Sequence, residues 1–163
     1  MSLPFEKQYL RPEDIENVLQ TKRRHLPHWT MQGATYFITF CLMHGTLLES
    51  EITLLMESLK QGDPQFYALI AAMIMPDHVH LLLKPNVGID LPRIMKGMKG
   101  TSAYKLNQMR NTKGSLWQAE WYDRLVRNER EFADILTYML NNPVKAGLVG
   151  DGWNYFGWYL KEQ

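Results

Sequence analysis

The stretch Met75-Pro76-Asp77-His78-Val79-His80-Leu81-Leu82-Leu83 sets two histidines around one apolar residue inside an otherwise apolar run. Residues i and i+2 of a strand point to the same side. In a strand, these two imidazoles share a face and can meet one cation, while Val79 and Leu81 anchor the strand in a core. The pair alone leaves a second reading open, in which both histidines are hydrogen-bonded core residues or part of an exposed stripe. A second element has to decide between them.

Outward from the pair, Phe66 to Met75 is another apolar run, so Pro76 and Asp77 make the tight turn of a hairpin that carries the histidines. Ala34 to Leu42 is rich in β-branched and aromatic residues, is bounded by Gly33 and Gly45, and reads as a buried strand. From Ser50, Ile52, Leu55, Met56 and Leu59 recur at helical spacing until Gly62 and Pro64 stop the pattern. Asp90 can cap a second helix with Pro92 in its first turn, Leu91, Ile94, Met95 and Met98 on the apolar face, and Lys96 and Lys99 outside it. Trp121 to Arg127 alternates as a fourth strand, and Asn128 with Glu131 gives a capping-box-like start to a last helix from Glu129. This order is that of an α+β fold. The first six elements form a ferredoxin-like (RRM-like) antiparallel sheet with helices on one face, and a C-terminal helix follows.

The last helix supplies the second element. Phe132, Ile135, Leu136, Met139 and Leu140 form its apolar stripe, and Tyr138 and Asn142, four residues apart, fall together on its flank. Pro143 removes an amide donor and biases Asn142 away from the helical region, so the helix is expected to kink or end there and turn the Asn142 amide oxygen outward.

The 163 residues, 45% apolar and 12% aromatic, suit one globular domain over 1–163. Within it we read an N-terminal arm (1–33) with one short helix from Pro12 to Gln20, a core (34–149), and a tail (150–163) that follows no usable pattern. One cysteine, Cys41, excludes an intrachain disulfide, and with five histidines it cannot build a structural zinc ribbon. No charged-then-apolar leader opens the chain and the longest apolar run is far short of the ~20 residues of a membrane span. A soluble, cytoplasmic protein is expected. Net charge is only +1, but it is unevenly spread: Lys84, Arg93, Lys96, Lys99, Lys105, Arg110 and Lys113 face one acid, Asp90, in their segment. That cluster fits either a phosphate-binding stripe or a solvated helix face.

Taken together, three segments closely resemble the single-tyrosine transposases of HUH endonuclease type: Met75 to Leu83, Trp117-Gln118-Ala119-Glu120-Trp121-Tyr122-Asp123-Arg124, and Tyr138-Met139-Leu140-Asn141-Asn142-Pro143-Val144-Lys145-Ala146-Gly147-Leu148-Val149. More narrowly they resemble the REP-associated tyrosine transposases, to which Arg23-Arg24-His25-Leu26-Pro27-His28-Trp29 and Gly33 to Phe40 are also similar. The resemblance spans roughly residues 22 to 149. It implies that His78 and His80 are a metal-binding pair, that Asn142 completes the metal site, and that Tyr138 is the nucleophile. The implied activity is that of a metal-dependent single-stranded DNA endonuclease and strand transferase. It acts at hairpin-forming repeats through a covalent 5′-phosphotyrosine and leaves a free 3′-hydroxyl.

A phenol that attacks a phosphodiester is later a good leaving group, so bond energy is conserved and strands can be rejoined without ATP. Two imidazole nitrogens and an amide oxygen suit Mg²⁺ or Mn²⁺. Candidate phosphate contacts are Arg23 and Arg24 in the basic knot after Lys22, together with Lys96, Lys99, Lys105 and Arg124. The alternative function is a non-cleaving nucleic-acid-binding protein on the same sheet. Some relatives are homodimers completed by a partner's helix, whereas the REP-associated branch resembles monomers. Whether the tyrosine helix acts in cis or in trans is therefore open at this level.

Overall fold

The computed structural model describes residues 33–162, so the expected Pro12–Gln20 helix and the basic knot lie outside the described residues. In chain order the elements are β1 (Tyr36–Cys41), α1 (Glu49–Gln61), β2 (Tyr67–Ile74), β3 (His78–Pro85), α2 (Leu91–Arg110), β4 (Tyr122–Leu125), α3 (Glu129–Lys145), a 3-10 turn (Gly152–Asn154) and β5 (Trp158–Leu160). The seven expected elements occur in the expected order, and β5 is an addition. The strands form one sheet, β4-β1-β3-β2-β5, with every neighbouring pair antiparallel.

The caps are local chemistry. Asp90 accepts from the Arg93 amide at 3.0 Å, and Asn128 accepts from the Glu131 amide at 2.8 Å. The Glu131 carboxylate reaches back to the Arg127 amide at 2.8 Å, one residue before the cap. At the start of α1 no Ser or Asp cap is used. Glu51 instead takes the Leu48 amide at 2.8 Å and, through the same carboxylate, holds Arg110 at the far end of α2 with contacts of 2.5 and 3.0 Å.

Strand alternation sorts the side chains into two cores. Tyr36, Ile38, Phe40, Val79, Leu81 and Leu83 bury against Ile52, Leu55 and Leu59 of α1 and Leu91, Ile94 and Met95 of α2. Phe37, Ala71, Met73 and Leu82 face the other way, beneath Ile135, Tyr138 and Met139 of α3. Leu69 and Ala71, two residues apart, lie in different cores because the β2–β3 register shifts between them, which adds one residue and reverses the alternation. Two helices thus cover one face of the sheet, and the tyrosine-bearing helix covers the other.

β5 left no periodic signal because it is three half-buried residues held by distant partners. Leu160, Tyr159 and Trp158 pair with Ala71, Ala72 and Met73, and the neighbouring Lys161 ammonium lies 2.9 Å from Asp63, which also accepts from the Leu69 amide. Among the described residues no helix is long and apolar enough to cross a membrane.

Candidate active site

The turn that aims the histidines is fixed by backbone bonds on both sides. Met75 N–H donates to the His78 carbonyl at 2.8 Å, Leu42 N–H to the Asp77 carbonyl at 2.9 Å, and Leu47 N–H to the Pro76 carbonyl at 2.6 Å. On β3, His78 stands opposite Cys41 and His80 opposite Thr39 of β1, and on its other side His80 stands opposite Met73 of β2. The two imidazoles share the α3 face, with ring centroids 4.7 Å apart at 75°.

Each ring is held through one nitrogen. His78 Nδ1 lies 2.6 Å from the Asp77 carboxylate, which can only accept, so the proton sits on Nδ1 and the neutral ring keeps its lone pair on Nε2. The hydrogen bond to His78 holds the Asp77 carboxyl below its usual range, against the opposing effect of burial. His80 Nδ1 lies 2.7 Å from Thr39 Oγ1, and its Nε2 lies 3.4 Å from the Asn142 amide nitrogen. With Asn142 donating, Nε2 accepts and Nδ1–H donates to Thr39. Burial first, and then the electrostatic effect of the neighbouring His78, push the pKa of the fully buried His80 well below its ordinary value, so this imidazole is neutral at pH 7.

Tyr138 meets His80 edge to face at a centroid distance of 5.3 Å, and Phe37 touches both rings, 5.4 Å from His80 and 6.1 Å from Tyr138. Asn142, one turn on, is 8% exposed. Two expectations for this helix end fail, that it stops at Asn142 and that the Asn142 amide turns outward. The helix does not stop at Asn142 but runs through Pro143 to Lys145, and the amide faces His80 instead of turning outward. Pro143 falls in the last turn, where its missing N–H removes a single intrahelical bond. The chain then closes on itself, with Ala146 N–H on the Asn142 carbonyl, Leu148 N–H on the Pro143 carbonyl, and Gly147 in the left-handed region at φ 73°.

The site therefore gathers His78, His80, Tyr138 and Asn142 within one chain. Among the described residues no group of three or more His, Cys, Asp and Glu side chains is close enough to hold a metal ion, so a third protein ligand beside the pair would be the Asn142 amide oxygen, with the amide flipped from the orientation that donates to His80. Two Nε2 lone pairs on one face, each steadied by an oxygen on Nδ1, are the arrangement that metal-ligating histidines use. Thr39 and the anchoring role of Asp77 escaped the sequence reading. Thr39 was within reach of it, since it shares the alternation of Phe37 and Cys41.

The basic candidates lie elsewhere. Lys96, Lys99 and Lys105 are on α2, across the sheet from the histidines. Lys99 is half-buried, its ammonium 2.6 Å from the Gln118 carbonyl and 3.0 Å from that of Ala119, and burial lowers its pKa. Lys105 bonds Gln61 at 2.5 Å, and Lys96 is exposed on the rim of a groove between α1 and α2. Arg124 stands opposite Phe37 on β4, ion-paired with Glu131. Arg23 and Arg24 lie outside the described residues.

Known proteins resemble this chain in sequence and in fold. A protein of Haemophilus influenzae described as a REP-associated tyrosine transposase is 27% identical over 131 residues, covering 72% of this chain and 74% of its own. A second, uncharacterized Haemophilus influenzae protein is 25% identical over 143 residues, covering 67% of this chain and 79% of its own. The fold matches a solved REP-associated tyrosine transposase bound to a REP hairpin, with TM-score 0.66, 20% identity and coverage of 80% of this chain and 79% of that one. It also matches a Deinococcus radiodurans protein described as a transposase, with TM-score 0.52, 23% identity and coverage of 71% and 95%. Residues 48–142, more than half of the chain and including His78, His80, Tyr138 and Asn142, match the IS200-like transposase family, and the chain belongs to that family.

Proposed function

We propose that this chain cleaves and rejoins single-stranded DNA beside a hairpin, with Tyr138 as nucleophile. The observation that carries this reading is the 5.3 Å approach of the Tyr138 ring to His80, on the face that also holds His78 and Asn142. In the cleavage step the Tyr138 oxygen attacks phosphorus and loses its proton. A 5′-phosphotyrosine forms, and the bond to the 3′-oxygen breaks and leaves a free 3′-hydroxyl. In the reverse sense a 3′-hydroxyl attacks the phosphotyrosine, and Tyr138 leaves.

His78, His80 and Asn142 fit a divalent ion such as Mg²⁺ or Mn²⁺, which when bound supplies positive charge against the phosphate oxygens. Thr39 and Asp77 hold the two rings through Nδ1, so that both Nε2 atoms are turned to the same face. Phe37 and Met139 exclude water from the inner side of the site, where Met139 is fully buried. Lys96, Lys105, Arg124 and the Arg23–Arg24 pair are the proposed phosphate contacts, and Lys99 acts through the Gln118–Ala119 segment that it holds. The DNA hairpin bound by the solved relative supports hairpin DNA as the partner here.

The non-cleaving alternative needs an open sheet face on which bases stack, and α3 covers that face. Incubating the chain with labelled hairpins carrying single-stranded flanks and Mg²⁺ or Mn²⁺ tests the reading. A denaturant-resistant protein–DNA adduct is expected, and intact DNA without adduct under all metal conditions overturns it.

A further inference from the structure

The segment from Gly150 to Leu160 has no part in the chemistry above. It leaves the end of α3 and crosses to the free edge of β2, and its path is fixed by two backbone contacts that only glycine allows. A Cβ on Gly152 would overlap the Leu140 carbonyl, and one on Gly157 would overlap the Ile74 carbonyl. Held in this way, the segment presents Trp153, 58% exposed, and Phe156, 49% exposed. Each outer ring rests on an inner one: Trp153 stands edge-on to Trp158 at 5.9 Å and 89°, and Phe156 leans on the buried Tyr155 at 4.7 Å.

The sheet register ties these rings to the candidate active site. Met73 pairs with His80 on one side and with Trp158 on the other, so the three form one cross-strand row. Two strand spacings put the Trp158 backbone about 10 Å from that of His80. Ile74 N–H donates to the Gly157 carbonyl at 2.8 Å, so Phe156 directly precedes the residue bonded to the last position of β2, after which Met75 enters the histidine turn.

We propose that Trp153 and Phe156 form a stacking subsite for one or two unpaired bases flanking the scissile phosphate, an inference that rests on single-stranded DNA being the substrate. Exposed aromatic faces take any base, because every base has a π-face. A second copy of the chain is a poorer occupant. The two rings expose roughly 250 Å² together, well short of the ~800 Å² that each partner gives to a stable interface.

The test is binding of wild type, Trp153→Ala and Trp153→Phe to three DNAs: a blunt hairpin, the hairpin with its single-stranded flank, and the same flank carrying abasic sites. Trp153→Ala is expected to weaken binding of the flanked hairpin about tenfold, with the salt dependence and the blunt-hairpin affinity unchanged, and Trp153→Phe to recover most of the loss. The abasic flank is expected to weaken wild type by at least as much, and Trp153→Ala by a smaller factor, the part that Phe156 still contributes. Equal binding of the flanked hairpin by wild type and Trp153→Ala, while wild type still forms the covalent adduct, overturns the subsite and leaves the proposed function standing. Wild type with no affinity for any of the DNAs overturns both. Loss of a dimer in sedimentation by Trp153→Ala, with DNA affinity intact, makes the patch a self-association surface and likewise overturns the subsite.

Discussion

Thr39 Oγ1 lies 2.7 Å from His80 Nδ1, across the β1–β3 pair. Both residues are buried; with the Asn142 amide donating to Nε2, the His80 proton sits on Nδ1 and the hydroxyl accepts it, which holds the ring with Nε2 facing Asn142. Thr39→Val keeps the shape and removes the acceptor. Mn²⁺ affinity, followed by calorimetric titration, is expected to fall 10- to 100-fold, roughly the effect of losing such a supporting bond, while Thr39→Ser stays near wild type. The orphaned Nδ1–H also costs about 1–3 kcal/mol of stability. Unchanged Mn²⁺ affinity in Thr39→Val would show that the hydroxyl does not orient a ligand.

Tyr138→Phe deletes one oxygen from a ring packed on His80 and Phe37. Thermal stability is expected to change by less than about 1.5 kcal/mol, DNA and metal binding to persist, and the covalent adduct to vanish. Tyr122 on β4 and Tyr104 on α2 sit on other elements and do not substitute for it. An adduct formed by the Phe variant at the wild-type rate removes Tyr138 from the mechanism.

The lysines of α2 separate into two kinds. Lys96→Gln is expected to lower the slope of log affinity against log salt by about one. Lys99→Met is expected to leave that slope alone and to lower the melting temperature, because its ammonium is engaged by the Gln118 and Ala119 carbonyls. An unchanged slope for Lys96→Gln would mark its side chain as facing solvent only.

Glu51 links the start of α1 to the end of α2, and its hydrogen bonds from Arg110, helped by the Leu48 amide and opposed by burial, hold its carboxyl below the ordinary 4.5. The folded chain therefore binds this proton less readily than the unfolded chain. The stabilisation is full above pH 4.5 and is lost as pH falls through the lowered folded value. Glu51→Gln is expected to cost about 2 kcal/mol at neutral pH and to flatten the acid limb of the stability curve below pH 4.5, read by urea melts. A variant with the wild-type acid limb would assign that sensitivity to other carboxylates.

Much of the site was legible because its parts lie in short local patterns. His78 and His80 follow the two-residue pleat of a strand, and Tyr138 and Asn142 follow the turn of a helix. Local rules failed where distant residues decide. Pro143 reads as a helix breaker, yet Met139 and Ile135, buried against the sheet, and the closing bonds at Ala146 and Leu148 carry the helix past it. β5 exists only because β2 offers an edge and Asp63 offers Lys161 a partner. Lys99 reads as a free surface cation, and only the fold brings the Gln118 carbonyl to it.

α3 docks on the sheet of its own chain, and that has a consequence for mixtures. Where a helix is exchanged between subunits, a chain lacking its tyrosine and a chain lacking its histidines repair one another. Here Tyr138, His78 and His80 meet within a single polypeptide. Equal parts of Tyr138→Phe and His78→Ala chains are therefore expected to give no adduct at all. In a cell carrying both alleles, neither mutant would complement the other, and each wild-type copy would keep its full activity beside them.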